Sequence, residues 1–152
     1  MTEQLLTLAF LLNCLSTFAL TGVIWIVQTL HYPSMVFIDR ERFTDAHRFH
    51  TKAITPVVAP LMIAELLTSC VLAVAPLPHV PSWNFALGLA LTVLIWFSTF
   101  FVQVPVHSSL AGGFDESLIR RLVRTNLIRT AAWSARTLIC ASALWLLLSV
   151  RL

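Results

Sequence analysis

The chain has 152 residues, of which 58% are hydrophobic and only 11% charged, with a mean hydropathy of +0.85. Soluble domains carry about 25% charged residues, so a water-soluble globule of this size is excluded. The net charge of +3 comes from basic residues grouped between apolar stretches, which reads as membrane topology and excludes nucleic acid as the partner implied by charge.

The first apolar stretch runs from Leu5 to about Leu30 without a charged side chain. It is too long for the apolar region of a signal peptide and lacks a basic leader, so it is expected to stay as a span over 5–31. Gln28 and His31 close it. Asp39 can cap a short segment in which Phe43, His47 and His50 recur at helical spacing. A second span over 53–75 contains Glu65 as its one charged residue, and Pro56 and Pro60 are expected to kink it and free backbone carbonyls. Pro76, Pro78 and Pro81 make a short, stiff turn before a third span over 83–107, which Gln103 and His107 close. Gly112 and Gly113 then break the chain. Asp115 can cap the run Glu116 to Leu127, where Leu118, Ile119, Leu122 and Thr125 share one side and Arg120, Arg121 and Arg124 another, the pattern of an interfacial helix. The fourth span, 130–150, contains Arg136. Each span has about the 20 residues a helix needs to cross about 30 Å of hydrocarbon, and helices satisfy their own backbone there. The predicted fold is therefore an all-α integral membrane four-helix bundle, one domain over 1–152, with short interfacial helices in its two long loops.

Arg40, Arg42, Arg48 and Lys52 lie in one long loop and Arg120, Arg121, Arg124 and Arg129 in the other, whereas the turn 76–82 and the N-terminal tail have no Lys or Arg. The bias of basic loops to the cytoplasm places both long loops there and both termini outside, with Arg151 the one dissenter. That topology fits a bacterial cytoplasmic (inner) membrane. The halves also echo each other. Gln28 and Gln103 are separated by 75 residues, and His31 and His107, Asp39 and Asp115, and Arg48 and Arg124 by 76, which suggests two repeated helical hairpins. Cys14, Cys70 and Cys140 fall inside apolar stretches at irregular spacing and read as buried small hydrophobes.

Four of the five histidines gather at the cytoplasmic end, His79 in the opposite turn being the exception. His47 and His50 stand three apart on one helical face, and His31 and His107 approach from neighbouring helix ends. Imidazoles at one depth suit zinc, copper or iron, or axial ligation of haem; alternatively they hydrogen-bond to headgroups, water and helix ends. Gln28 and Gln103, each one turn deeper than its histidine, can bridge helices or orient the imidazoles. Asn126, Arg129, Trp133 and Arg136 form one stripe on the fourth span. Arg136 is a cation inside the membrane and Glu65 the only anion there, both costly unless paired or hydrated. By rise per residue Glu65 lies about 20 Å and Arg136 about 10 Å from the cytoplasmic ends. A direct pair needs both side chains stretched together; otherwise each faces a polar cavity in which Arg136 holds an anionic ligand group.

The segments Val27 to Pro33, Phe43 to His50, Val57 to Leu66, Gln103 to His107 and Arg124 to Arg136 resemble those of a widespread group of small four-helix bacterial membrane proteins. That group is more remotely similar to the anthrone-oxygenase-like membrane proteins, with a fainter likeness to the four-helix membrane protoporphyrinogen oxidases. The resemblance implies oxidation of an aromatic or lipid-soluble substrate without assigning catalytic residues. The leading expectation is a membrane-embedded metal- or haem-dependent oxidoreductase acting on a hydrophobic small molecule. His31, His47, His50 and His107 would hold the cofactor and Gln28 and Gln103 support them, while Asn126, Arg129, Trp133, Arg136 and Glu65 bind substrate. The alternative is a non-catalytic carrier or binder of a lipid-like or anionic ligand. A third is a structural or regulatory subunit. Membrane lipid is an expected partner, and a bundle this small is compatible with a homodimer.

Overall fold

A computed structural model describes residues 2–149. They form four long helices, α1 (Glu3–Phe37), α2 (Arg40–Val74), α3 (Ser82–Leu110) and α4 (Glu116–Ser149), each long and apolar enough to cross a membrane. No strand occurs among the described residues. Each expected span coincides with one helix, the second running one residue past the end of α2 to its cap Ala75; Val150, with which the fourth was expected to end, and Arg151, the dissenting basic residue, lie outside the described residues.

The helix ends follow from local chemistry. Thr2 Oγ1 accepts the Leu5 N–H at 3.4 Å and caps α1. Ala75 stops α2 just before Pro76, which has no N–H to continue a helix. Gly113, at φ 140°, turns the chain into α4. There Asp115 Oδ1 accepts the N–H groups of Ser117 (2.8 Å) and Leu118 (3.1 Å), the cap expected from the sequence. Asp39 stands at the matching place before α2, but its carboxylate makes no such bond; only its backbone carbonyl meets Arg42 N–H, at 3.0 Å.

The short interfacial helices expected in the loops are not separate elements. Residues 40–50 and 116–127 are the opening turns of α2 and α4, because nothing breaks the helix after them and α2 contains no glycine. Pro56 and Pro60 sit inside α2 without ending it. Two π-helical turns do interrupt the regular pattern, Val27–His31 in α1 and Thr99–Gln103 in α3, each followed two residues on by a proline (Pro33 and Pro105).

The helices pack as a ring, α1 on α2, α2 on α3, α3 on α4 and α4 on α1, while close backbone packing between α2 and the segment after the α3 π turn is slight. Two apolar clusters fill the interior, one around Leu20, Met62, Ile95 and Trp133, the other around Phe10, Leu72, Phe85 and Ala143. Cys14 and Cys140 belong to the second cluster as expected, whereas Cys70 is exposed. Polarity is inverted relative to a soluble protein: Leu8, Leu15, Leu67, Phe101 and Leu138 are exposed, while Asn13, Thr17, Glu65, Asn126 and Arg136 are buried.

Candidate functional site: a cavity with an unpaired arginine

The lowest polar layer joins all four helices. Glu65 and Arg136 are at most 1% exposed and form a direct ion pair, Arg136 Nε to Glu65 Oε1 at 2.9 Å. Thr17 Oγ1 also donates to Oε1 at 2.8 Å, and Trp133 Nε1 donates to Oε2 at 3.1 Å. The guanidinium gives Nη1 to the Gly88 carbonyl and Nη2 to Asn13 Oδ1, Thr17 Oγ1 and Ser69 Oγ at 3.1–3.3 Å. Asn13 Nδ2 in turn donates to the Glu65 carbonyl and to the Thr68 and Ser69 hydroxyls. A buried charge pair is tolerable only when its remaining donors and acceptors are filled, and here they are. Of the two arrangements left open by the sequence, the direct pair is the one observed. Counted from the helix starts, Glu65 lies about 25 residues into α2 and Arg136 about 20 into α4, so their levels differ by only about 7 Å, which an extended arginine spans. Both side chains are thereby engaged with each other and with their polar neighbours.

Trp133 separates this layer from a cavity above it. Its indole N–H points down to Glu65, while its ring carries the Arg129 guanidinium, Cζ 5.2 Å from the centroid. The cavity has a volume of about 460 Å³ and lies among all four helices. Leu20, Ile24, Ile54, Val58, Met62 and Val104 give it apolar walls, and Arg48, Thr51, Thr55 and Ser108 stand toward its mouth. Arg129 and Gln103 bring polarity to it. Arg129 is 8% exposed, no carboxylate among the described residues lies within 4.0 Å of it, and its Nε has no hydrogen-bond partner. Gln103 is 1% exposed; its Nε2 donates to Thr125 Oγ1 at 3.0 Å, and its Oε1 has no partner.

Four imidazoles do converge above the cavity, but on one another. His47 Nε2 and His107 Nδ1 share a hydrogen bond of 3.0 Å, and His107 Nε2 meets the Tyr32 hydroxyl at 2.9 Å. His31 and His50 stack with centroids 4.0 Å apart. Among the described residues no group of three or more His, Cys, Asp or Glu is arranged to hold a metal ion. The expected shared coordination of His31, His47, His50 and His107 is thus not met in this arrangement. A neutral imidazole has one lone pair, and both His107 nitrogens are taken by Tyr32 and His47. His31 Nε2 is buried without a partner, and His31 and His50 meet through their ring faces. The same arrangement gives no free axial imidazole at His107 for haem.

The glutamines do not support the imidazoles either. Gln28 Oε1 accepts from Asn126 Nδ2 at 2.9 Å and its Nε2 donates to the Val123 carbonyl at 3.2 Å, so it ties α1 to α4. The π turn carries Gln28 toward α4 and His31 toward His50 on α2, so the two do not share a face. Asn126 gives its amide nitrogen to that bridge, while its Oδ1 is buried without a partner. The stripe on α4 therefore splits: Asn126 is structural, Arg129 faces the cavity, Trp133 is its floor and Arg136 lies beneath. Sequence reasoning missed Asn13, Thr17, Thr68 and Ser69, although Asn13 and Thr17 are spaced by four in an apolar span and Glu65, Thr68 and Ser69 by three and four, a legible polar seam. It also missed Tyr32, the single tyrosine of the chain, next to His31. No protein-family model matches the chain, and neither does any curated protein or solved structure.

Proposed function

We propose that the protein resides in the cytoplasmic membrane of a bacterium and binds there an amphiphilic small molecule, its anionic head group against Arg129 and its apolar body along the cavity wall. The observation that carries this reading is a buried guanidinium with no carboxylate beside it, facing an apolar-walled cavity of about 460 Å³. A buried cation is costly unless something neutralises it, and Arg136 one layer down illustrates how fully this fold can do so. The volume falls in the range of small-molecule sites. The inverted surface, apolar outside and polar within, supports insertion in lipid, and the basic residues in the opening turns of α2 and α4 support a cytoplasmic mouth with both termini outside. The two π turns with their following prolines recur at an offset of 72 residues, which supports two hairpins of similar build but not the register of 75–76 residues at which the polar residues echo each other.

A second reading keeps the oxidoreductase. Its support is the chain Tyr32–His107–His47, which lies against the same cavity and offers acid–base groups to an occupant. Metal or haem would require the imidazoles to part.

Native mass spectrometry of detergent-purified protein tests the first reading. The wild type should carry an anionic amphiphile that is lost in Arg129→Gln and retained in a His79→Asn control. Identical adducts in wild type and Arg129→Gln would remove it. Metal content retained by the wild type and lost in His107→Asn would favour the second reading.

A further inference from the structure

Eight buried side-chain polar atoms lack a hydrogen-bond partner among the described residues, and the only two on residues lining the main cavity are Arg129 Nε and Gln103 Oε1. One is a cationic donor. The other is an amide oxygen, an acceptor, whose orientation agrees with the hydrogen bonds of its neighbour. Thr125 Oγ1 spends its proton on the Arg121 carbonyl at 2.8 Å, so toward Gln103 it can only accept. In this arrangement the Gln103 nitrogen faces Thr125, at 3.0 Å, and Oε1 is on the unpartnered side. Turning the amide over would require the Thr125 hydroxyl to give up the Arg121 carbonyl.

An unfilled buried amide oxygen costs the full desolvation of that group. Gln28 on α1, by contrast, receives Asn126 Nδ2 at 2.9 Å on its oxygen, while the other buried amide oxygens without a partner, Asn84 Oδ1 and Asn126 Oδ1, do not line the cavity. Gln103 also ends the π turn of α3, a local irregularity that recurs at functional sites. Nothing on α4 reaches its oxygen as Asn126 reaches that of Gln28.

We infer that the cavity selects an amphiphile whose head group carries a hydrogen-bond donor, such as a hydroxyl, near its anionic group, with Gln103 accepting from the donor and Arg129 pairing with the anion. This rests on the binding reading above and names its ligand class: hydroxylated acids in preference to plain ones. Gln103 is then the specificity-determining residue, and Arg129 sets whether an anion binds at all. A site with a buried acceptor discriminates strongly against an analogue that leaves it empty.

Equilibrium binding of three C16 probes, palmitate, 2-hydroxypalmitate and 3-hydroxypalmitate, to the full chain in maltoside micelles tests the inference. For the wild type, one of the hydroxy acids should bind about 10-fold or more tightly than palmitate. Gln103→Leu, similar in size but without the acceptor, should bind all three alike. Gln103→Glu, which restores an acceptor but adds a negative charge, should weaken all three probes together. If the wild type binds the three equally while Arg129→Gln loses them all, the donor requirement is overturned and the anion site stands. If no probe shows Arg129-dependent binding, both fall. Monodispersity and thermal unfolding of Gln103→Leu separate loss of selectivity from loss of fold, and the wild-type ratio alone decides the inference should that variant not fold.

Discussion

Arg129 and Arg136 stand two helical turns apart on one stripe of α4, and their surroundings give them opposite effects on stability. Removing Arg136 strands a buried carboxylate together with the hydroxyls and amide that serve the pair. Arg136→Gln should destabilise the protein by about 3–5 kcal/mol, read as a lower unfolding midpoint in detergent. Trp133→Phe removes one donor to the buried Glu65 carboxylate and should cost about 1.5–3 kcal/mol. Arg129→Gln gives up the contact with the Trp133 ring and a polar contact with the Tyr32 hydroxyl while relieving a charge that no carboxylate balances, so its stability should stay within about 1 kcal/mol of wild type. The same measurement on three variants thus distinguishes a structural arginine from a binding one; equal losses for both arginines would contradict the division. Sequence alone marked both as costly cations, because charge in an apolar span is plain from composition. It could not divide them, because the division depends on which residues of α1, α2 and α3 face each level. Glu65 came within reach only once the true starts of α2 and α4 were known, and Gly88 contributes a carbonyl that no side-chain pattern advertises. An added Cβ at Gly88 would sit 3.4 Å from Arg136 Nη1, so a larger residue there is expected to disturb the same pair.

At the scale of elements, the two long helices begin differently despite similar sequence. The Asp115 carboxylate is held below its ordinary range by the Ser117 hydroxyl, then by the Leu118 N–H. A carboxyl depressed in the folded state stabilises above its unfolded pKa, and the contribution fades as pH falls through the folded value. Asp115→Ala should therefore lower the unfolding midpoint at pH 7 and lose that effect in acid. Asp39→Ala should leave the midpoint unchanged at both, since its carboxylate caps nothing. Equal effects of the two substitutions would show that the α2 start is capped as well. Helix number and span placement were legible because apolar length is a direct requirement of crossing a bilayer. The interfacial segments were legible as amphipathic helices, with Ile119 and Leu122 buried and Arg120, Arg121 and Arg124 outward. Their continuity with the spans was not, since loop and helix share composition there. The π turns were also hidden: they shift which residues share a face after Val27 and Thr99, which is why Gln28 and His31 part.

For the whole molecule, the ring of four helices places a fully satisfied polar layer below Trp133 and an incompletely satisfied cavity above it. The lower layer gives the cavity a rigid floor, and the slight packing between α2 and the end of α3 leaves room beside the mouth. The histidines occupy that end as the sequence anticipated, but their hydrogen bonds and stacking make them a self-contained cluster, whereas metal spacing on paper considers only which rings are near. Arg129 is the anchor of an anion in the proposed complex. Equilibrium binding of palmitate and hexadecanol, which share a chain and differ in charge, to wild type and Arg129→Gln tests it most directly. Wild type should prefer palmitate by about 10- to 100-fold, the worth of a hydrogen bond to a charged group, and Arg129→Gln should lose that preference. Equal binding of acid and alcohol by the wild type, or a preference for the acid that survives Arg129→Gln, would contradict it.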